Sequence, residues 1–221
     1  MKKICAIAAL CLLTAGYVGN AAGELDPEDR FSYGLLGGGS ISWIAGESVQ
    51  VEYEGVLYNG NNTVLGGGFV GGLVQYWFTP SFSLRADLYY GQQGTKLHLD
   101  EFSLSRRSHN VNLPVYACIG FLDRRINLMI GPQFGFCAAG FDAPGNLNNK
   151  EVHEKVKWAS TGYYKFDIGA SIALEGMFTD NVGIFARFNA GFLNVFKAIS
   201  AIPSPYGKNM VAHIGFVYKF D

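Results

Sequence analysis

Eight stretches of this chain alternate apolar and polar residues, and the connections between them run long, short, long, short, long, short, long. A period of two marks a β-strand, because successive side chains leave opposite faces of the backbone. The last stretch shows it plainly. Met210, Ala212, Ile214, Phe216, Tyr218 and Phe220 share one face, while Val211, His213, Gly215, Val217 and Lys219 share the other. A strand with so apolar a face needs a partner on both edges, since an open edge aggregates. We therefore expect it to close a barrel against the first strand, Tyr33 to Trp43.

The other strands are expected at about Val64–Phe78, Phe82–Gly94, His109–Phe121, Ile126–Ala139, Tyr163–Phe178 and Val182–Val195. Short turns fall at Thr79–Ser81, Leu122–Arg125 and Thr179–Asn181. Long polar connections cover Ala45–Thr63, Thr95–Ser108, Gly140–Gly162 and Lys197–Lys208, with Val51 to Tyr58 extending a hairpin above the barrel. Pro114 has no N–H and should interrupt the ladder of its strand. An even strand number with long loops at one end and short turns at the other is the layout of an outer-membrane barrel. A soluble sandwich gives no reason for it.

Composition supports the same class. Charged residues make up 16% of the 221, aromatics 14%, and there are 29 glycines. A chain so poor in charge suits a lipid-facing surface. With a net charge of −1 it offers no electrostatic footprint for nucleic acid. Lys2 and Lys3, the apolar run Ile4–Leu13 and the small residues up to Gly23 read as a secretory signal peptide, residues 1–22, cut between Ala21 and Gly23. The barrel domain then spans residues 23–221. Beyond the signal no run is long and apolar enough for a transmembrane helix, so a membrane reading requires strands.

Alternation alone does not say which face is outside. The charges do. On the polar faces Arg85, Lys165, Arg187 and Lys219 stand against Asp87, Asp167 and Glu175, with Arg85/Asp87 and Lys165/Asp167 each two residues apart. Near balance suits a closed, paired lumen better than a solvated face. These seven residues form the expected lumen network, with Lys219 meeting an inward acid. An eight-stranded barrel encloses little more than side chains, so this network reads as a plug rather than a pore lining. Aromatics near strand ends, Trp43, Tyr76, Trp77, Phe78, Phe82, Phe121, Phe178, Tyr218 and Phe220, read as an interfacial girdle.

Cys118 and Cys137 face inward on adjacent strands. If Phe121 pairs with Ile126, Cys118 lies beside Met129 and Cys137 beside Asn110. The offset of about eight residues is roughly 27 Å at strand rise. A disulfide needs Cα atoms within about 7 Å, so both thiols should be free.

No chemical motif stands. Gly66–Gly71 matches G-x-G-x-x-G, but strand rather than helix follows it. The histidines, His98, His109, His153 and His213, lack ligand spacing, so neither metal nor cofactor is expected. Ser108–His109 has no acidic partner to make a hydrolase site.

Several short motifs, Gly131-Pro132-Gln133-Phe134-Gly135, Tyr89-Tyr90-Gly91-Gln92-Gln93-Gly94, Asn112-Leu113-Pro114 and the terminal Gly215–Phe220, together resemble the PorT-like outer-membrane β-barrel family. The resemblance covers the whole mature chain. It implies an eight-stranded barrel in a Gram-negative outer membrane and, for some members, an accessory role in secretion. Phe220 is penultimate, a small departure from the usual terminal-Phe assembly signal. The reading is thus all-β: an eight-stranded antiparallel up-and-down barrel, non-enzymatic, with both termini in the periplasm. Its partners are outer-membrane lipid, the assembly machinery and other envelope or secretion-system proteins. A lipid-modifying enzyme and a small solute channel are the alternatives.

Overall fold

The computed structural model describes residues 30–46, 49–53, 56–98, 103–144, 156–157, 165–194 and 207–220. The expected signal peptide and its cleavage site lie outside these residues. Eight long strands build the wall: β1 (Phe31–Gly46), β4 (Leu65–Thr79), β5 (Phe82–His98), β6 (Ser103–Phe121), β7 (Ile126–Pro144), β9 (Phe166–Met177), β10 (Val182–Gly191) and β11 (Gly207–Phe220). Every pairing is antiparallel, and β5 pairs with β6 to close the circuit. The first and last strands meet over a long register, from Tyr33 opposite Phe220 to Gly46 opposite Gly207. Among the described residues the circuit of eight strands leaves no open edge, which is what a span in hydrocarbon requires.

The long connections carry more strand than their polarity indicates. β2 (Val49–Tyr53) and β3 (Val56–Thr63) form a hairpin, and β3 joins β5. The stretch Thr95–Ser108, expected as a loop, is largely the continuation of β5 and β6, paired as far as His98 with Ser103. A two-residue β8 (Val156–Lys157) adds to β7. Polar composition therefore marks where strands leave the membrane, not where they stop.

Side-chain direction decides the solvent. Val70, Leu88, Ile214 and Phe216 on the outer face are 62%, 57%, 69% and 68% exposed, while Arg85, Asp87, Asn127 and Glu175 inside are 1% or less. A soluble barrel would have the reverse arrangement. Trp77 corrects the girdle: it shares parity with Gln75, points inward and is 2% exposed. The tryptophan edge lies against Gly120, where a Cβ would come within 3.1 Å of the ring.

Pro114 interrupts the ladder as its missing N–H requires. The β5–β6 register lapses between Ala86 opposite Val115 and Tyr89 opposite Asn112. Cys118 stands opposite Met129 and Cys137 opposite Asn110, and both cysteines are free.

The short turns hold one another. Leu122, Asp123 and Arg124 all have positive φ (50°, 53° and 67°), a conformation L-residues adopt at a cost. This bends the turn so that Arg124 Nε donates to Pro80 O at 3.4 Å and lies 4.6 Å from the Trp77 ring centroid. Arg125 donates to Phe178 O at 3.2 Å and pairs with Asp180 at 3.2 Å. The three turns frame a cavity of about 910 Å³, floored by Trp77 and Lys219.

Candidate functional site: the charged lumen

Alternation sends every second residue of each strand into the lumen, and an eight-stranded wall brings side chains from distant strands within reach. Arg85 on β5 is the centre. Its Nε donates to Asp87 Oδ1 at 2.6 Å, and its Nη1 donates to Glu175 Oε2 on β9. Arg187 on β10 donates through Nη2 to Asp87 Oδ2. Lys219 on β11 donates to Glu175 Oε1 at 2.8 Å, and Asn127 on β7 donates to the same oxygen at 3.1 Å. The carboxylates thus serve as bridges, each joining two cations. Of these five charged side chains, four are 0% exposed and Lys219 is 10% exposed.

Three cations face two carboxylates, leaving an excess of one positive charge. The surplus falls beside aromatic faces. Among the described residues Arg187 Nε and Nη1 find no hydrogen-bond partner, and its guanidinium lies 4.8 Å from the Tyr89 centroid and 5.0 Å from that of Phe185. An aromatic face attracts a desolvated cation and offsets part of its burial cost.

A neutral relay stands beside the ionic cluster. Tyr116 and Ser171 share a hydrogen bond of 2.7 Å, Ser171 donates to Asn189 at 2.6 Å, and Asn189 donates to the Tyr89 hydroxyl at 2.8 Å. Two apolar clusters flank these polar groups. One contains Leu36, Phe69, Leu73, Tyr89, Phe185 and Val217, the other Tyr116, Cys118, Met129 and Ala173. His213 is buried in the lumen edge-on to Phe69 and Tyr89, with centroids at 4.8 and 5.4 Å.

Of the seven residues proposed from sequence, the structure brings together Arg85, Asp87, Glu175, Arg187 and Lys219. Lys165 and Asp167 are not in the cluster. Lys165 is exposed and Asp167 half-buried, at the start of β9 beyond the reach of the inner cations. The aromatic members Tyr89, Tyr116 and Phe185 escaped the charge-based reading. Their signal was parity: Tyr89 is four residues from Arg85 and Phe185 two from Arg187.

Ser108 and His109 sit on opposite faces of β6. Ser108 Oγ donates to Gln93 O at 3.2 Å, whereas the His109 ring stacks on Tyr90. They cannot act as a nucleophile and base on one another. Among the described residues no group of three or more His, Cys, Asp or Glu side chains could hold a metal ion, and no helix is long and apolar enough to cross a membrane.

An apolar outer face around a polar, charged interior requires a lipid surround. The family model described as outer membrane protein beta-barrel domain matches residues 20–197. The chain belongs to that family. This outer-membrane barrel is similar in fold to Neisserial surface protein A, with 8% identity, a TM-score of 0.55, and 85% of this chain and 97% of that one covered. Ail, the attachment invasion locus protein of Yersinia pestis, aligns at 11% identity and TM-score 0.48, covering 86% and 99%. OprG of Pseudomonas aeruginosa aligns at 10% identity and TM-score 0.42, covering 86% and 97%. No curated protein sequence matches this barrel.

Proposed function

We propose that this outer-membrane barrel is a non-enzymatic anchor with a plugged lumen. It presents the loops at its long-connection end to proteins or other envelope components outside the cell, with both termini in the periplasm. The observation that carries this reading is the ion-paired bridge from β5 to β9, β10 and β11. Its buried guanidiniums and carboxylates occupy the lumen with side chains whose partners are one another, which leaves binding to the loops. A cluster that served a moving solute would need charges able to exchange partners, whereas breaking one pair here strands a buried charge. The resemblance to PorT-like barrels supports secretion-system proteins as the partner class.

Cross-linking in intact cells, followed by pull-down from native outer membrane, tests this reading. A specific envelope protein should be captured, and capture should disappear when the connection 145–162 or 197–206 is shortened while the barrel still assembles. Capture that survives removal of each long loop would contradict it. Altered lipid acylation in a deletion strain would favour a lipid-modifying enzyme instead.

A further inference from the structure

Among the described residues, the outer face turns polar near the upper ends of β5 and β6. On β5 and β6 the hydroxyl of Tyr90 is hydrogen-bonded to His109 Nδ1, the two rings stacked at 5.8 Å and 24°. Beside them Arg107 Nη1 donates to Gln92 Oε1 at 3.3 Å, and Arg107 is exposed. Lys96 continues the same outward register. Gln92 lies ten residues beyond Phe82 at the start of β5. At about 3.4 Å per residue and a tilt of about 40°, this is on the order of 25 Å above the short turns, the height of the apolar band of such barrels. The polar cluster therefore stands where hydrocarbon gives way to headgroups.

The adjoining wall is bare at the same height. The register places Gly68 opposite Gly39 and Phe69 opposite Gly91, so Gly68 neighbours Gln92. A Cβ on Gly39 or Gly66 would meet nothing within 4 Å. Between Ile41 and Ile214, 49% and 69% exposed, this leaves a groove of about 710 Å³ floored by Gly39, Gly66 and Ala212.

We propose that this face holds one phosphate-bearing lipid of the outer leaflet, with its phosphate at Arg107 and Lys96 and an acyl chain in the glycine groove. Charge complementarity selects the anionic headgroup, because guanidinium and ammonium at a low-dielectric boundary bind phosphate more strongly than in water. The groove opens on hydrocarbon and has apolar walls, so an acyl chain fills it without stranding a polar group. A second copy using the same face would set its own Arg107 and Lys96 at the same height, like charge against like. The choice of leaflet rests on the loop orientation proposed above, but the binding itself does not.

Native mass spectrometry of the purified barrel released from detergent micelles tests the site, with bisphosphorylated hexa-acyl lipid A and its dephosphorylated form as probes. The wild-type barrel should retain one bisphosphorylated lipid and bind the dephosphorylated form about ten-fold more weakly. Arg107→Gln with Lys96→Gln should bind both forms alike. Gly39→Leu with Gly66→Leu should lose both, while keeping the folded-barrel mobility on unheated gels. Equal wild-type binding of the two forms, or full retention by the groove variant, would overturn the assignment. So would a wild-type dimer that the groove variant converts to monomer. Surface labelling of the loops in cells decides orientation independently.

Discussion

Arg85-Ala86-Asp87 on β5 and Lys165-Phe166-Asp167 at the start of β9 carry the same pattern: a cation, one residue outward, then a carboxylate. Their outcomes differ. Arg85 and Asp87 are 0% exposed and bonded to one another at 2.6 Å, and both reach other strands. Lys165 is exposed, and Asp167 turns to the backbone of Ile168 and Leu193, its Oδ2 filling space that a Cβ on Gly191 would need. Spacing of two sets the face. Height along the strand sets the company. Nearer the short turns the inward residues of β5, β9, β10 and β11 converge, whereas Asp167, at the opposite end of β9, meets none of those cations.

The largest test of that contrast is truncation of the two aspartates. Asp87→Ala removes the shared acceptor of two buried guanidiniums, so urea unfolding in lipid vesicles should show a loss of about 3–5 kcal/mol. Asp167→Ala should cost less than about 1 kcal/mol. Equal losses would erase the distinction between the two sites.

Next comes pairwise coupling. A double-mutant cycle of Glu175→Gln with Lys219→Met should give a coupling energy of about 0.5–3 kcal/mol. The same cycle on Lys165 and Asp167 should give none above error. Significant coupling at the rim pair would mean that height does not govern pairing.

Glycine substitutions extend the contrast to the wall. Gly71→Ala places a Cβ 2.3 Å from Leu88 O and 2.5 Å from Tyr89 Cβ, displacing the ring beside Arg187. We expect it to cost about 1–3 kcal/mol. Gly39→Ala meets nothing within 4 Å and should stay within about 0.5 kcal/mol. The smallest effect concerns the thiols. Folded protein should leave buried Cys118 unlabelled by maleimide and half-buried Cys137 slow to react, and unfolding without reductant should leave both Cys118 and Cys137 free to label. Detection of a disulfide would show that the β6–β7 register is wrong.

Much of this was legible in the residues. Period two, the alternation of connection lengths and low charge were enough for eight strands, the closure of β1 on β11 and an apolar outer face. The offset of Cys118 from Cys137 followed from one turn, because register propagates along a pair. Lys165 and Asp167 were misplaced because parity carries no information about height, which depends on the stagger of strands around the whole circuit. Trp77 was misplaced for another reason: its parity with Gln75 was readable, but an aromatic near a turn resembles a girdle residue. Tyr89, Tyr116 and Phe185 show that a charged lumen also needs aromatic faces, a requirement that follows from the surplus cation and not from any single strand.

The central claim is that the bridge through Arg85, Asp87, Glu175, Arg187 and Lys219 closes the lumen. Single-protein conductance in planar bilayers tests it most directly. The wild-type barrel should show no steady open current at moderate voltage and salt. A large, sustained open state would contradict it, because ions could then pass only if the bridge were open in the membrane.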